Sequence, residues 1–151
     1  MQILVDADAC PVKEIILDCA KQCQVMVHMV CDVTHILSYP QEFVKITTVD
    51  KGADSADLYI TNLAVAGDIG VTSDYGLATL LLAKGCIVLH PNGFRYTNEN
   101  IDRMLFERHI SREMRKKHKG RGGHIPKRTA EADTAFQKLL LHILQKQTEN
   151  L

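Results

Sequence analysis

The chain has 151 residues, of which 46% are hydrophobic and 24% charged. That is the make-up of one globular domain and excludes a disordered or fibrous chain; near this length roughly 70% of the unfolded surface is buried on folding, so no disulfide or structural metal is needed. The zero net charge hides an imbalance, because residues 103–128 hold ten of the eighteen Lys/Arg against Glu107 and Glu113 alone, giving +8 there and −8 elsewhere.

Ile3-Leu4-Val5 reads as a short buried strand ending at Asp6-Ala7-Asp8. Pro11 is then expected to open a helix at its favoured first position, with Val12, Ile15, Ile16, Cys19 and Cys23 at helical spacing. Further strands are predicted at Gln24–Cys31, Phe43–Val49, Ile69–Ser73 and Cys86–Leu89. Helices are predicted over Ser55–Ala66 and Gly76–Lys84, the second closed by Gly85. Short apolar strands alternating with amphipathic helices imply a three-layer α/β/α fold around a mainly parallel five-stranded sheet. After Pro91-Asn92-Gly93 the alternation stops. A basic helical extension covers about residues 99–147: a helix from about Glu99 to Lys117, a Gly-rich loop, and a last helix carrying Phe136, Leu139, Leu140, Ile143 and Leu144. The whole chain is expected to form a single domain.

The five cysteines, Cys10, Cys19, Cys23, Cys31 and Cys86, are odd in number and sit largely in core patterns, so they read as reduced thiols. Cys19 and Cys23, four apart, suit one helix face better than a zinc knuckle. The start lacks a signal-peptide pattern and no run approaches a membrane span, so a cytoplasmic protein with no membrane partner is expected. Nothing in the sequence speaks to oligomeric state, and neither GxGxxG nor a Walker loop supports a nucleotide cofactor.

Open parallel sheets bind ligands outside the carboxyl ends of their strands. Asp6 closes the first strand, Asp8 follows two residues on, and Asp74 closes the fourth, so all three belong at that edge. Asp54 and Asp57, three apart at a helix start, share a face. Carboxylates forced together repel, and a hard divalent cation, Mg²⁺ or Mn²⁺, relieves the repulsion. Such an ion suits phosphodiester hydrolysis, which makes Asp6, Asp8, Asp54, Asp57 and Asp74 the candidate catalytic set and Asp6, Asp54, Asp57 and Asp74 the candidate metal ligands. Read structurally, Asp8, Asp54, Asp57 and Asp74 are helix caps. Asp68 precedes its strand and is expected at the opposite edge.

Arg108, Arg112, Arg115, Lys116 and Lys119 recur along one helical stripe, and Arg121, Lys127 and Arg128 follow. As a set they are candidates to hold a nucleic-acid backbone; the structural alternative is a solvated helix face. Among the histidines, His28 reads as a core residue and none pairs with a serine or cysteine nucleophile.

The stretches VDADACPVK, GADSADLYI, DIGVTSDYGLATLLLAKG, NGFRYTNENID and HIPKRT resemble the bacterial YaiI/YqxD family and span nearly the whole chain. The acidic framework is in turn similar to PIN-like nucleases. That resemblance implies an Mg²⁺- or Mn²⁺-dependent ribonuclease with Asp6 after the first strand, Asp54 or Asp57 in the middle helix and Asp74 after the fourth strand. The basic carboxyl-terminal segment and the DADACP turn depart from the PIN-like pattern. Asp6-Ala-Asp8-Ala-Cys10 also resembles the strand end of haloacid-dehalogenase phosphatases, which implies a small-molecule phosphatase, with Cys10 in place of the usual Thr or Val. A third reading is a non-catalytic RNA- or ribosome-associated protein.

Overall fold

A computed structural model describes residues 1–32, 37–52, 55–117 and 127–150. In chain order the elements are β1 (Gln2–Asp6), α1 (Lys13–Cys23), β2 (Met26–Asp32), β3 (Val44–Val49), α2 (Ser55–Leu63), β4 (Ile69–Val71), α3 (Tyr75–Ala83), β5 (Ile87–His90), β6 (Phe94–Tyr96), α4 (Asn98–Lys117) and α5 (Ala130–Glu149).

The strands form one sheet in the order β3-β2-β1-β4-β5-β6. All neighbours are parallel except β5 and β6, which pair as an antiparallel hairpin through Val88–Tyr96, Leu89–Arg95 and His90–Phe94. The sheet is therefore six-stranded, not five-stranded as expected. β6 escaped the sequence reading because three residues are too few to show a period of two. Its turn is set by Gly93, at φ 93°, where an added Cβ would lie 2.6 Å from Ala135 Cβ of α5, so the left-handed backbone and the close approach both require glycine.

β1 and β4 are the innermost strands. Alternate β1 side chains point to opposite faces: Ile3 and Val5 join Val27, Met29, Ile69 and Val71 in a core sealed by Ile16, Leu17 and Ala20 of α1 and by Phe136, Leu140 and Leu144 of α5. Leu4 and Val30 belong to the other face, under Ile60 of α2, Leu77 and Leu81 of α3 and Ile101 of α4. Gly70 lets α3 close on β4, since a Cβ there would sit 2.7 Å from Leu81 Cδ1. These two cores give the three layers expected, and α5 is one wall of the first core, not an appendage.

Pro11 does not open α1. Val12 is the N-cap residue, with φ −115° and ψ 19°, and it accepts from Ile16 N at 3.0 Å, so the helix starts at Lys13 and Pro11 stays in the preceding turn. Burial of Val12, 1% exposed, holds it there. All five cysteines are unpaired thiols, four of them buried. Among the described residues no helix is long and apolar enough to cross a membrane.

Candidate functional site

The chain runs outward from β1 through β2 to β3, then returns to place β4 on the other side of β1. Strand order reverses between β1 and β4, and at such a switch point the two following loops diverge and leave a crevice at the carboxyl edge. A crevice of about 400 Å³ opens there, lined by Asp6, Asp8, Asp32, Gly52, Ala56, Asp57, Ser73, Asp74 and Arg108. Four of the five candidate catalytic aspartates thus face one space; Asp54 lies outside the described residues.

Asp6 is the last residue of β1, paired in register with Val30. Its Oδ2 accepts from Thr72 Oγ1 at 3.0 Å, and the same hydroxyl oxygen accepts from Asp74 N at 3.0 Å. Thr72 is 2% exposed and accepts the buried Tyr96 hydroxyl on its carbonyl at 3.2 Å, so this link is rigidly backed. Burial, then the neighbouring charges of Asp74 and Asp8, push the Asp6 carboxyl from 3.8 up to about 6, against the opposing pull of the Thr72 hydrogen bond. The charges of Asp74 and Asp8 thus bear on Asp6, a repulsion that a cation would relieve.

Asp74 caps α3: its Oδ1 accepts from Gly76 N at 2.8 Å and Leu77 N at 3.3 Å. The capping reading of this residue is correct and compatible with a place in the crevice, because a carboxylate that caps through one oxygen keeps the other. Asp8 does not cap α1. Ala9 adopts φ 57°, Cys10 N donates back to Ala7 O at 3.3 Å, and the Asp8 Oδ2 accepts from Asp32 N at 3.0 Å, tying the β1 turn to the end of β2. Asp57 stands in the first turn of α2.

Asp32 is the aspartate the sequence reading missed. Its signal was present, since it closes the apolar run of β2 as Asp6 closes that of β1. Asp68, by contrast, lies at the opposite edge as expected, 3% exposed and accepting from Gln2 N at 3.2 Å and Val65 N at 3.0 Å.

The donor set is chemically suited to Mg²⁺ or Mn²⁺, all hard carboxylate oxygen. Among the described residues no three His, Cys, Asp or Glu side chains are drawn together as a ready metal cage.

The basic residues divide. Arg108 reaches the crevice wall, its guanidinium 5.5 Å from the centre of the Tyr75 ring. Arg112, Arg115 and Lys116 are exposed on α4, with Lys116 Nζ 3.5 Å from Glu113. Lys119 and Arg121 lie outside the described residues. Lys127 lines a separate recess with Pro11, Asn92 and Thr129. Arg128 is a fastener: it donates to Asp133 Oδ1 at 2.6 Å, Asn92 Oδ1 at 3.0 Å and Pro91 O at 2.6 Å, binding the β5–β6 turn to the start of α5. His28 is a core residue, its Nε2 2.7 Å from Thr47 Oγ1. His90 stacks on Phe94 at 4.5 Å between ring centres.

Comparison with known proteins places this geometry in a family. A profile described as "Uncharacterized BCR, YaiI/YqxD family" matches residues 4–146. A UPF0178 protein of Alkaliphilus oremlandii is 47% identical over 146 residues, covering 97% of this chain and 92% of that one. Another from Natranaerobius thermophilus is 46% identical over 144 residues, covering 95% of this chain and 96% of its relative. Among solved structures, Rae1 (YacP) from Bacillus subtilis matches with a TM-score of 0.42 and 20% identity, over 97% of this chain and 99% of that one, a likeness too distant to argue from. The chain belongs to the YaiI/YqxD family.

Proposed function

We propose that the chain hydrolyses phosphodiester bonds in nucleic acid, RNA in the first instance, at the β1/β4 crevice with Mg²⁺ or Mn²⁺. The observation that carries this reading is the gathering of Asp6, Asp8, Asp32, Asp57 and Asp74 at the topological switch point, with the cation of Arg108 in the same wall. The PIN-like resemblance of the acidic framework implies the same roles for Asp6, for Asp54 or Asp57, and for Asp74. Asp6 and Asp74 would hold the ion, with Asp57 and Asp54 of the α2 start as further ligands. When bound, the ion would polarise a phosphoryl oxygen and lower the pKa of an attacking water.

The chain's own groups do the positioning. Thr72 fixes the Asp6 carboxylate against the α3 N-terminus, and the Gly76 and Leu77 amides fix Asp74. Arg108 is placed to neutralise the phosphate that enters beside so much negative charge. Further along α4, Arg112, Arg115 and Lys116, with Lys119 and Arg121 beyond, would track the strand, as would Lys127. Arg128, committed to the Pro91–Asn92 turn, has fewer donors left for phosphate.

The test is hydrolysis of end-labelled single-stranded RNA and of a generic phosphomonoester, each with Mn²⁺, with Mg²⁺ and with chelator. Metal-dependent RNA cleavage that is lost in Asp6→Asn and Asp74→Asn is the expected outcome. Turnover of the phosphomonoester alone would replace the proposal with a phosphatase, and RNA binding without cleavage would leave a non-catalytic binder.

A further inference from the structure

In its first half α4 packs one side on the body, while its other side is exposed among the described residues. At 100° per residue, Ile101, Met104 and Arg108 share the inward side: Ile101 is 4% exposed, Met104 packs against the α2/α3 core, and Arg108 lies over Tyr75. Phe106, Ile110 and Met114 recur every four residues on the outward side and are 63%, 41% and 57% exposed. An unbroken row of three large apolar side chains exceeds the scattered apolar residues of an ordinary surface and has the spacing with which a helix lies against a partner.

The same outward side carries the exposed charges Glu99, Arg103, Glu107, Glu113 and Lys117. Glu99, Arg103, Glu113 and Lys117 run acid, base, acid, base, and turned end for end they read base, acid, base, acid. Glu107, at the edge of the row, comes opposite His109 in the antiparallel register that pairs those four, so it meets no like charge there. A second α4 laid antiparallel sets Glu99 against Lys117 and Arg103 against Glu113. The same register sets Phe106 against Ile110, and twofold symmetry makes every contact occur twice. A register shifted to face Phe106 with Met114 would oppose Arg103 to Lys117 and Glu107 to Glu113, so like charges reject it. Within one chain Arg103 is 3.8 Å from Glu107 and Glu113 3.5 Å from Lys116. Both are well-exposed pairs that compete weakly.

We propose that the outward side of α4 is a homodimer interface, in which two copies of this chain pair antiparallel through Phe106 and Ile110 while Arg103–Glu113 and Glu99–Lys117 pairs between copies fix the register. A single helix pair, about 30 Å long, is at the small end of specific interfaces, so the dimer is reversible. Arg112 and Arg115 point about half a turn away from the row and remain open after pairing.

Sedimentation of the full chain over a range of concentrations, at low and high salt, tests this. The wild type should show a concentration-dependent dimer that weakens with salt. Arg103→Glu and Glu113→Arg should each raise the dimer dissociation constant by at least about tenfold, and their combination should bring it back towards the wild-type value. Phe106→Asp should be monomeric with unchanged far-UV circular dichroism. A wild type that is monomeric throughout, a dimer indifferent to Phe106→Asp, or a double exchange that fails to restore association would overturn the proposal. Loss of RNA binding in Phe106→Asp, in a chain that never dimerises, would assign the row to base stacking instead.

Discussion

Replacing Asp6 with Asn should make the metal-free protein more stable at neutral pH and leave it nearly unchanged in acid. The Asp6 carboxyl is pushed from 3.8 up to about 6, chiefly by burial. Its folded-state value lies above its unfolded one, so protonation favours the fold: that stabilisation is whole below about pH 4 and is lost as pH rises through about 6. At about 1.4 kcal/mol per unit, holding the charge at neutral pH costs the fold up to about 3 kcal/mol. Asparagine carries no such charge and can still accept from Thr72. For a domain of this size the gain converts to roughly 2–4 °C of melting temperature per kcal/mol, so several degrees are expected. The assay is thermal unfolding of both proteins in chelator at about pH 4.5 and about pH 7.5. The quantity that decides is the change in their difference between the two. A difference independent of pH, or a variant that melts lower at neutral pH, would refute the reasoning. Mg²⁺ or Mn²⁺ should then raise the wild type more than the variant, because a ligand that binds the folded state stabilises it.

Asp74→Ala should cost about 1 kcal/mol through the lost α3 cap, whereas Asp74→Asn keeps an oxygen for the Gly76 and Leu77 amides; urea unfolding of the two variants separates them. Gly93→Ala should destabilise by at least about 2 kcal/mol, since it combines a left-handed backbone with overpacking against Ala135; a melting temperature within error of wild type would contradict that close approach. Arg112→Ala with Lys116→Ala should leave stability within about 0.5 kcal/mol. Each lost phosphate contact should flatten the log-log salt dependence of single-stranded RNA binding by roughly 0.7, and an unchanged slope would make these residues a solvated face.

The parallel core of the fold was legible because β1, β2, β4 and β5 are near-continuous apolar runs and α1 and α5 carry period-3.6 stripes. The edge was not: β6 is three residues long, and its pairing depends on Gly93 and on a docked α5 that no local window contains. The site was legible where an aspartate ended an apolar run, as at Asp6 and Asp74. Asp32 ends β2 in the same way, one residue beyond the strand predicted at Gln24–Cys31, and was not counted among the candidates. Conversely, the Arg128 signal was charge alone, and charge does not reveal that a guanidinium is spent on a carbonyl and a neighbouring carboxylate. Arg108 was read as one of a row; only the packing of α4 on α3 separates it from the row and sets it in the crevice wall.

The sealing of α1 by α5 bears on how the protein comes to be folded at all. Ile16, Leu17 and Ala20 are made more than a hundred residues before the Phe136, Leu140 and Leu144 that cover them. A nascent chain stalled before α5 therefore presents a greasy helix and one open face of a parallel sheet, surfaces that invite aggregation. Its β1–α1–β2 unit is complete in sequence yet cannot finish its core until α5 has been made. Any dependence on holding chaperones would fall on the interval between the making of α1 and the docking of α5.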